Sequence, residues 1–465
     1  MVLVNKIYIL PTKINTIVSV PLTPLRVLSA SGIIAHLSLA SSFLGTIALA
    51  LVLEYSYLRT KDERMLAKAR MFSVISTIIF GVGAAYGTLV EFGLVTVWSN
   101  FVAIIGAIAL PFYIELFAFL FEVVVLPLYT FTWDKIKNGW AHFAIGIVAA
   151  FGGYWSAYNI LAVMASLSMR PPGLEIVNLA QSGQSISKAI TYILEWEKPS
   201  QMFNMYWSGA QIFIFHGILA AVISSWSLIA GVYIYKYIRD KDPVRKKVLN
   251  HMLLPLAVLT GIQGLVLGHF QGELVVQEDP LKLAVFEGMY WSGLRVDPLT
   301  SFVAYGTFNH QFWGYYSWPA SIRPPTYVTF AYLVMMVGFG IVLGILALAL
   351  GLDYAFGENL GKVGFGWLYK LQRPLELVSQ YLIPFSGIVA GIGGALSAES
   401  GRYPLIFVSS VPSNSGPPTI TGVPVSALLN VSLSMPIWEV ALLTFVALAI
   451  PFVAVYGIWV YVSRR

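Results

Sequence analysis

Long apolar runs separated by short polar segments dominate the sequence. A helix that crosses a bilayer needs about 20 mostly apolar residues. Nine runs reach that length, at roughly 28–54, 71–94, 100–130, 141–166, 208–236, 251–270, 326–352, 379–397 and 436–462. The pattern therefore predicts an all-α fold, a polytopic membrane bundle of about nine transmembrane helices.

Lysine and arginine concentrate on one side of this predicted bundle. Of the 28 basic residues, 18 fall in connections on the same side as segment 55–70. Because cytoplasmic loops carry the excess of basic residues, this side is expected to be cytoplasmic. The N-terminus would then lie outside and the C-terminus in the cytoplasm. The long connections at about 167–207, 271–325 and 398–435 would lie outside.

The chain divides accordingly into four segments. Residues 1–27 are interrupted by three prolines and lack a clean small-residue cleavage site, so we expect a retained extramembrane segment and not a signal peptide. Residues 28–270 would form the first six transmembrane helices, and 326–465 the last three. Residues 271–325 would form a long outer loop, and ordered loops of that length are usually functional.

Composition excludes several classes of protein. Apolar residues make up 57% of the chain and charged residues 11%, with a mean hydropathy of +0.76, whereas soluble proteins have roughly 25% charged residues. A disordered chain, a soluble multidomain enzyme and a nucleic-acid-binding module are therefore excluded. Cysteine is absent, which excludes disulfides, thiolate metal ligands and cysteine-attached haem.

Two carboxylates interrupt the third apolar run. Glu115 and Glu122 are seven residues apart, so they share one helix face at a separation of roughly 10 Å. Ionisable groups at membrane depth are costly and suggest a function such as proton relay or ligand binding. The alternative is a buried structural hydrogen bond to a neighbouring helix.

Three side chains lie at a similar predicted depth below the outer surface. His36, His216 and Met335 are each eight or nine residues inside their runs, which corresponds to roughly 12–14 Å. A shared depth suits axial ligands of neighbouring haems. The alternatives are an interhelical hydrogen bond for each histidine and simple packing for the methionine. His142, by contrast, falls near a predicted cytoplasmic end, where we expect an interfacial position.

Several short motifs occur in a characteristic order along nearly the whole chain. The segments VEFGLVTVWS, YIELFAFLFE, FTWDKIKNGWAHF, QEDPLKLAVFEG, FAYLVMM and AESGRYP follow one another, and Arg26 precedes His36 by ten residues. With these motifs the chain resembles subunit I of cytochrome bd-type quinol oxidases. Lys282 and Glu287 fall in the segment that resembles the quinol-loop motif of that family, and Glu399 and Arg402 fall in AESGRYP.

The resemblance implies a set of haem sites. These would hold two b-type haems, one low-spin and one high-spin, and a haem d or a b-type substitute. His216 and Met335 would hold the low-spin haem. The metal ligands His36, Glu399 and Glu115 would serve the other two haems, with the individual assignments left open. Further cofactor-binding residues would be Arg26 and Arg402.

The resemblance also implies an activity, that of a quinol:oxygen oxidoreductase in the plasma membrane of a prokaryote. Lys282 and Glu287 would bind and deprotonate a membrane quinol at the outer face. Glu122 and Glu115 would be steps for protons taken up from the cytoplasm during dioxygen reduction. The partners would be a second membrane subunit, similar to subunit II, and optionally small single-span subunits, with no nucleic acid.

Other functions remain open at this stage. A membrane haem cytochrome could pass electrons to a partner without reducing oxygen, and a haem-free transporter could account for the buried acids. The chain also departs from the family pattern at four positions, which leaves the electron donor, the third haem and the proton route open: Tyr154, Leu333, Ala395 and Leu405.

Overall fold

The computed structural model of the protein describes residues 24–179, 191–428 and 436–464 and is mostly helical. The first half of the chain contains the helices α1 Pro24–Thr60, α2 Glu63–Val97, α3 Ser99–Ile105, α4 Ala109–Phe131, α5 Gly139–Ser168 and α6 Ser208–Asp240. The second half contains α7 Pro243–Asn250, α8 Leu253–Gly261, α9 Gly268–Glu278, α10 Pro280–Phe286, α11 Pro298–Tyr305, α12 Tyr327–Thr329, α13 Phe339–Phe356, α14 Gly366–Lys370, α15 Gln372–Gly401 and α16 Ile437–Arg464. Most of the predicted extramembrane start, residues 1–23, lies outside the described residues.

Eight helical segments are long and apolar enough to cross a membrane, which confirms the predicted class of fold. They are Leu28–Thr60, Glu63–Glu91, Gly106–Phe131, Gly139–Ser168, Pro199–Asp240, Pro243–Glu278, Tyr327–Phe356 and Gln372–Gly401. The ninth predicted span coincides with α16, whose apolar portion with described side chains, Ile437–Ala447, is shorter. The sixth span extends to Glu278 and does not end near residue 270.

Two spans contain π-helical segments. Ile262–Leu267 joins α8 to α9, and Phe330–Gly338 joins α12 to α13. A π turn accommodates one extra residue and is frequent at functional sites. The second of these segments contains Met335.

Each long connection between spans contains a two-stranded antiparallel hairpin. The pairs are β1 Leu174–Asn178 with β2 Tyr192–Trp196, β3 Leu294–Val296 with β4 Gln311–Trp313, and β5 Leu405–Val411 with β6 Thr419–Pro424. The backbone of Arg170 donates to Val408, so the end of α5 is joined to the third hairpin. The described parts of these connections therefore contain regular structure, which the apolar pattern alone did not predict.

Aspartate followed by proline begins three of the short helices. Asp242, Asp279 and Asp297 each accept a hydrogen bond from a backbone N–H of the first turn, of α7, α10 and α11 respectively. Proline at the next position has the φ angle that a helix needs and lacks the N–H that would remain unpaired. These caps fix the start of α10, the helix that carries Lys282.

Small residues allow the spans to pack closely. A Cβ atom at Gly45 would clash with Ser225 of α6, and one at Gly387 of α15 would clash with the hydroxyl of Ser227. Trp226 donates to the carbonyl of Gly45 at 2.8 Å. Close backbone approach of this kind is the usual basis of helix association in membranes. It makes α6 the helix against which α1 and α15 both pack.

Candidate functional site

The connection after α9, which the sequence predicts to lie outside, packs against the ends of two membrane helices. Lys282 lies in α10 and is 5% exposed. Its aliphatic chain contacts the end of α15, because a Cβ atom at Gly401 would lie 3.1 Å from Lys282 Cε and 2.8 Å from the ring of Phe286. Glycine at position 401 therefore permits the contact between the connection and α15.

Lys282 lies in a strongly charged environment. Burial lowers the pKa of its ammonium group to about 8, and the negative charge of Asp279 opposes this shift. Arg402 lowers the same pKa and Glu399 raises it, so both charges act at Lys282. Burial raises the pKa of Asp279 to about 6. The carboxylate of Asp279 also accepts a hydrogen bond from the backbone N–H of Lys282 at 3.0 Å.

Glu287 lies where α10 ends. Its backbone N–H still bonds to the last turn, and the next residue, Gly288, has a φ of +68°, a conformation that glycine adopts without strain. Burial raises the pKa of the Glu287 carboxyl, whereas an interaction with the hydroxyl of Tyr332 lowers it. Tyr332 belongs to the π-helical segment, so that segment contacts the end of α10.

Glu399 and Arg402 form an ion pair at the end of α15. One oxygen of the Glu399 carboxylate and one terminal nitrogen of Arg402 are buried without a hydrogen-bond partner among the described residues. Buried polar atoms normally have partners. The unpaired atoms therefore mark a place where a further polar group would be stabilised.

Met335 lies in the π-helical segment Phe330–Gly338 and contacts α15. A Cβ atom at Gly393 would lie 2.6 Å from Met335 Cβ and 2.7 Å from the carbonyl oxygen of Ala331. Position 393 therefore has room only for glycine. The segment that contains Met335 contacts the same helix that ends in Glu399 and Arg402.

His216 lies on α6 beside the other π-helical segment. Its Nδ1 atom is buried without a hydrogen-bond partner in the part of the chain that the structure describes. The side-chain amide of Gln263 donates to the backbone carbonyl of His216 at 3.0 Å and fixes the main chain there. An imidazole with an unpaired buried nitrogen differs from the satisfied interhelical hydrogen-bonder considered above, and it fits a metal ligand.

His36 has the second hydrogen bond that is typical of metal-binding histidines. Its Nδ1 atom lies 3.0 Å from the carbonyl oxygen of Gly83. A carbonyl can only accept, so Nδ1 carries the proton and Nε2 keeps its lone pair for a metal ion. A Cβ atom at Gly87 would lie 3.0 Å from the ring, so α2 packs closely against this histidine. The side chain of Arg26 lies outside the described residues.

Glu115 and Glu122 both face α5. Ser156 donates to the Glu115 carboxylate at 2.9 Å. Glu122 is 3% exposed, and its Oε1 atom has no hydrogen-bond partner among the described residues. A Cβ atom at Gly153 would lie 3.0 Å from that oxygen. Both acids therefore lie along the contact between α4 and α5, on one face of α4, as their spacing predicts.

The structure thus places the candidate residues in four places. Lys282, Glu287, Met335, Glu399 and Arg402 lie around the contact of the connection after α9 with the π-helical segment and the end of α15. His36 lies between α1 and α2, His216 lies on α6, and the two acids lie between α4 and α5.

Sequence motifs missed two features of the described chain. One is Tyr332, which contacts Glu287. The other is a buried network in which Glu54 accepts from Tyr129 and lies 2.7 Å from His142. His142 is 2% exposed, so the expected interfacial position is wrong. The carboxylate at position 54, at the end of an otherwise apolar run, was the available signal.

Comparison with known proteins identifies the family. The model of the family "Cytochrome bd terminal oxidase subunit I" matches residues 25–465. The chain belongs to this family.

Individual relatives agree with this assignment. The chain is 25% identical over 418 residues to the cytochrome bd ubiquinol oxidase subunit 1 of Bacillus subtilis, covering 82% of each chain. It is 29% identical over 266 residues, 55% of each chain, to a putative cytochrome bd menaquinol oxidase subunit I of the same organism. The bd oxidase structure from Geobacillus thermodenitrificans has a TM-score of 0.71 at 20% identity, with 95% of this chain and 97% of that chain covered, and so shows the same fold.

The chain is therefore a bd-type terminal oxidase subunit I. It is a multi-pass plasma membrane oxidoreductase of a respiratory chain, it uses haem, and it works in a complex with other membrane subunits. This excludes the haem-free transporter.

Proposed function

We propose that this subunit oxidises a membrane quinol at the outer face and reduces dioxygen with protons from the cytoplasm. One observation supports this above all. The buried Lys282 and the partly buried Glu287 lie on a connection that packs against the segment containing Met335 and against the helix end with Glu399 and Arg402. The candidate proton acceptor Glu287 thus lies close to candidate haem ligands, and haem would be the electron acceptor.

At the proposed quinol site the two residues have different roles. Glu287 is the base, because its ionised carboxylate can take the proton from a quinol hydroxyl and later release it to the outside. Lys282 remains mostly protonated at neutral pH, since its pKa is lowered to about 8, and its ammonium group can donate a hydrogen bond to a quinol oxygen. The buried position of Lys282 keeps water from competing for its hydrogen bond.

The histidines and acids at membrane depth provide the haem ligands in this proposal. His216 and Met335 would hold a low-spin haem b, and His36, Glu399 and Glu115 would serve a high-spin haem b and a haem d or b-type substitute. Bound haem supplies one-electron transfer and, where one axial position is open, dioxygen binding. The unpaired nitrogen of Arg402 would stabilise a haem carboxylate, a role we also assign to Arg26.

The two acids between α4 and α5 would carry protons from the cytoplasm toward the site of dioxygen reduction. Glu122 has one unpaired carboxylate oxygen near Gly153, and Glu115 accepts from Ser156, less than one turn further along α5. The separation of roughly 10 Å between them exceeds a hydrogen bond, so water would have to bridge the acids. The direction, from Glu122 to Glu115, follows from the predicted orientation of the helices.

We expect Glu122→Gln to slow oxygen reduction with every electron donor, by about 100-fold or more, because an amide cannot carry the proton. Oxygen consumption should fall equally with a quinol and with an artificial reductant. Glu175→Gln is the control, since Glu175 is an exposed acid on strand β1 and should leave both rates unchanged. A loss with the quinol alone would contradict the assignment of Glu122 to proton uptake.

The proposed function is tested on the purified complex. Reduced protein should show low-spin haem absorbance and a carbon monoxide-induced shift from a ligand-binding haem, and it should consume oxygen with tetramethyl-benzoquinol as donor. A membrane haem cytochrome that only passes electrons to a partner would show no carbon monoxide shift and no oxygen consumption. That result would refute the proposal. The assembly partner would be a second membrane subunit similar to subunit II, with optional small single-span subunits.

A further inference from the structure

Tyr332 connects two elements of the proposed quinol site, the π-helical segment and the end of α10. It is three residues before Met335 in the π-helical segment Phe330–Gly338. Its ring stacks on Phe286 with 4.6 Å between the ring centroids and 15° between the planes. Its hydroxyl interacts with the carboxylate of Glu287, the residue after Phe286. The side chain of Tyr332 therefore contacts both Phe286, the last residue of α10, and Glu287, the residue that follows it.

We infer that Tyr332 is a positioning residue for quinol oxidation: its hydroxyl donates to Glu287 and keeps that carboxylate ready to accept a proton. The inference rests on the proposed function of Glu287 as the base. Tyr332 keeps its own proton throughout and forms no bond to quinol.

The physical reason is the cost of burying Glu287. Burial favours the neutral carboxylic acid, which cannot accept a proton, and the negative charge of Asp297 acts in the same direction. A hydroxyl donor stabilises the ionised form instead. Besides burial, three side chains act on the Glu287 carboxyl: the hydroxyls of Tyr332 and Thr300 lower its pKa, and the charge of Asp297 raises it. Of the two hydroxyls that favour the base, Tyr332 has the larger effect.

The hydroxyl of Tyr332 is not needed to attach the connection to the π-helical segment. Thr329 already donates to the carbonyl oxygen of Val285. The hydroxyl of Tyr290 donates to the carbonyl oxygen of Thr326 at 3.1 Å. With these two contacts in place, loss of the Tyr332 hydroxyl should change the electrostatics at Glu287 while the packing is retained.

The test is the variant Tyr332→Phe in the intact oxidase complex, with tetramethyl-benzoquinol as donor. Phenylalanine keeps the stacked ring and removes only the hydroxyl. The pKa of Glu287 should rise, so the acid limb of the kcat/KM profile should move to higher pH. On that limb kcat/KM should fall about three- to tenfold, the usual net contribution of one hydrogen bond, while the high-pH plateau and the low-spin haem spectrum stay unchanged.

Two further variants make the test specific. Tyr290→Phe removes a hydroxyl from the same contact without touching Glu287, and its profile should match the wild type. Asp297→Asn keeps an acceptor at the start of α11 and removes the charge that opposes ionisation, so its acid limb should move to lower pH. This second shift also tests the titration of Glu287 if Tyr332→Phe fails to assemble.

The outcomes separate the inference from the proposed function. If Tyr332→Phe has the wild-type profile, or slows the reaction equally at all pH values, while Glu287→Gln is strongly impaired, then the role of Tyr332 is refuted and the quinol site stands. If Glu287→Gln itself oxidises quinol normally, the proposed site is refuted and the inference with it.

Discussion

His216→Ala removes the low-spin haem signal and leaves a haem that still binds carbon monoxide. The variant lacks the imidazole that would hold one face of the low-spin iron, and Met335 alone is a weak ligand. We expect a loss of low-spin absorbance of more than about tenfold, because even partners that only orient a metal ligand contribute about 10- to 100-fold in affinity. The measurement is an optical spectrum of reduced protein, with and without carbon monoxide, together with total haem content.

The matched control for this prediction is His269→Ala. His269 is half-exposed near the start of α9 and lies 3.6 Å from Glu273, so its removal should leave the low-spin spectrum unchanged. An unchanged spectrum in His216→Ala would show that another residue holds the low-spin haem.

Glu287→Gln slows quinol oxidation by about 100- to 10,000-fold, the usual contribution of a positioned general base. The amide has nearly the shape of the carboxylate but cannot accept the quinol proton. Oxygen reduction with an artificial reductant that bypasses the quinol site should continue at the wild-type rate. The rates with both donors are measured as oxygen consumption by the purified complex over a range of pH.

The pH dependence of the wild type gives a second check on Glu287. Burial raises the pKa of this carboxyl, so the base is lost by protonation as the pH falls, and quinol oxidation should decline on the acid side. The decline should be absent from the residual activity of Glu287→Gln. As a control, Glu273→Gln changes a half-exposed acid on α9 and should behave like the wild type. Equal slowing with both donors in Glu287→Gln would argue against a role in the quinol site.

The membrane helices could be predicted well from the sequence because the bilayer imposes a simple requirement. Each span must contain about 20 apolar residues with its backbone bonds satisfied internally, and eight described segments meet it. The three hairpins could not be predicted in the same way. Their strands are three to seven residues long, and they pack on helix ends whose positions the sequence does not give.

The candidate residues were found from motifs, but their neighbours were not. The contact between Lys282 and the end of α15 depends on the absence of a side chain at Gly401, and no pattern in the sequence indicates which glycine permits such a contact. The pairing of Tyr332 with Glu287 joins residues 45 positions apart on two elements. His142 was misjudged for a similar reason: its partner Glu54 comes from another helix, and together they satisfy each other's polar groups in the interior.

The π-helical segment Phe330–Gly338 allows the length of this span to change by a residue without loss of the helix. Because a π turn holds one residue more than an α turn, a relative lacking one residue here could close to ordinary α geometry. Thr329 would keep its contact with the outer connection, and α13 would keep its packing. The neighbouring Met336 also contacts α15, since its sulfur would lie 3.5 Å from a Cβ atom at Gly394, so two successive methionines pack against the same helix. Counting positions from either end of this span is therefore a poor guide to the equivalent methionine in a divergent homologue.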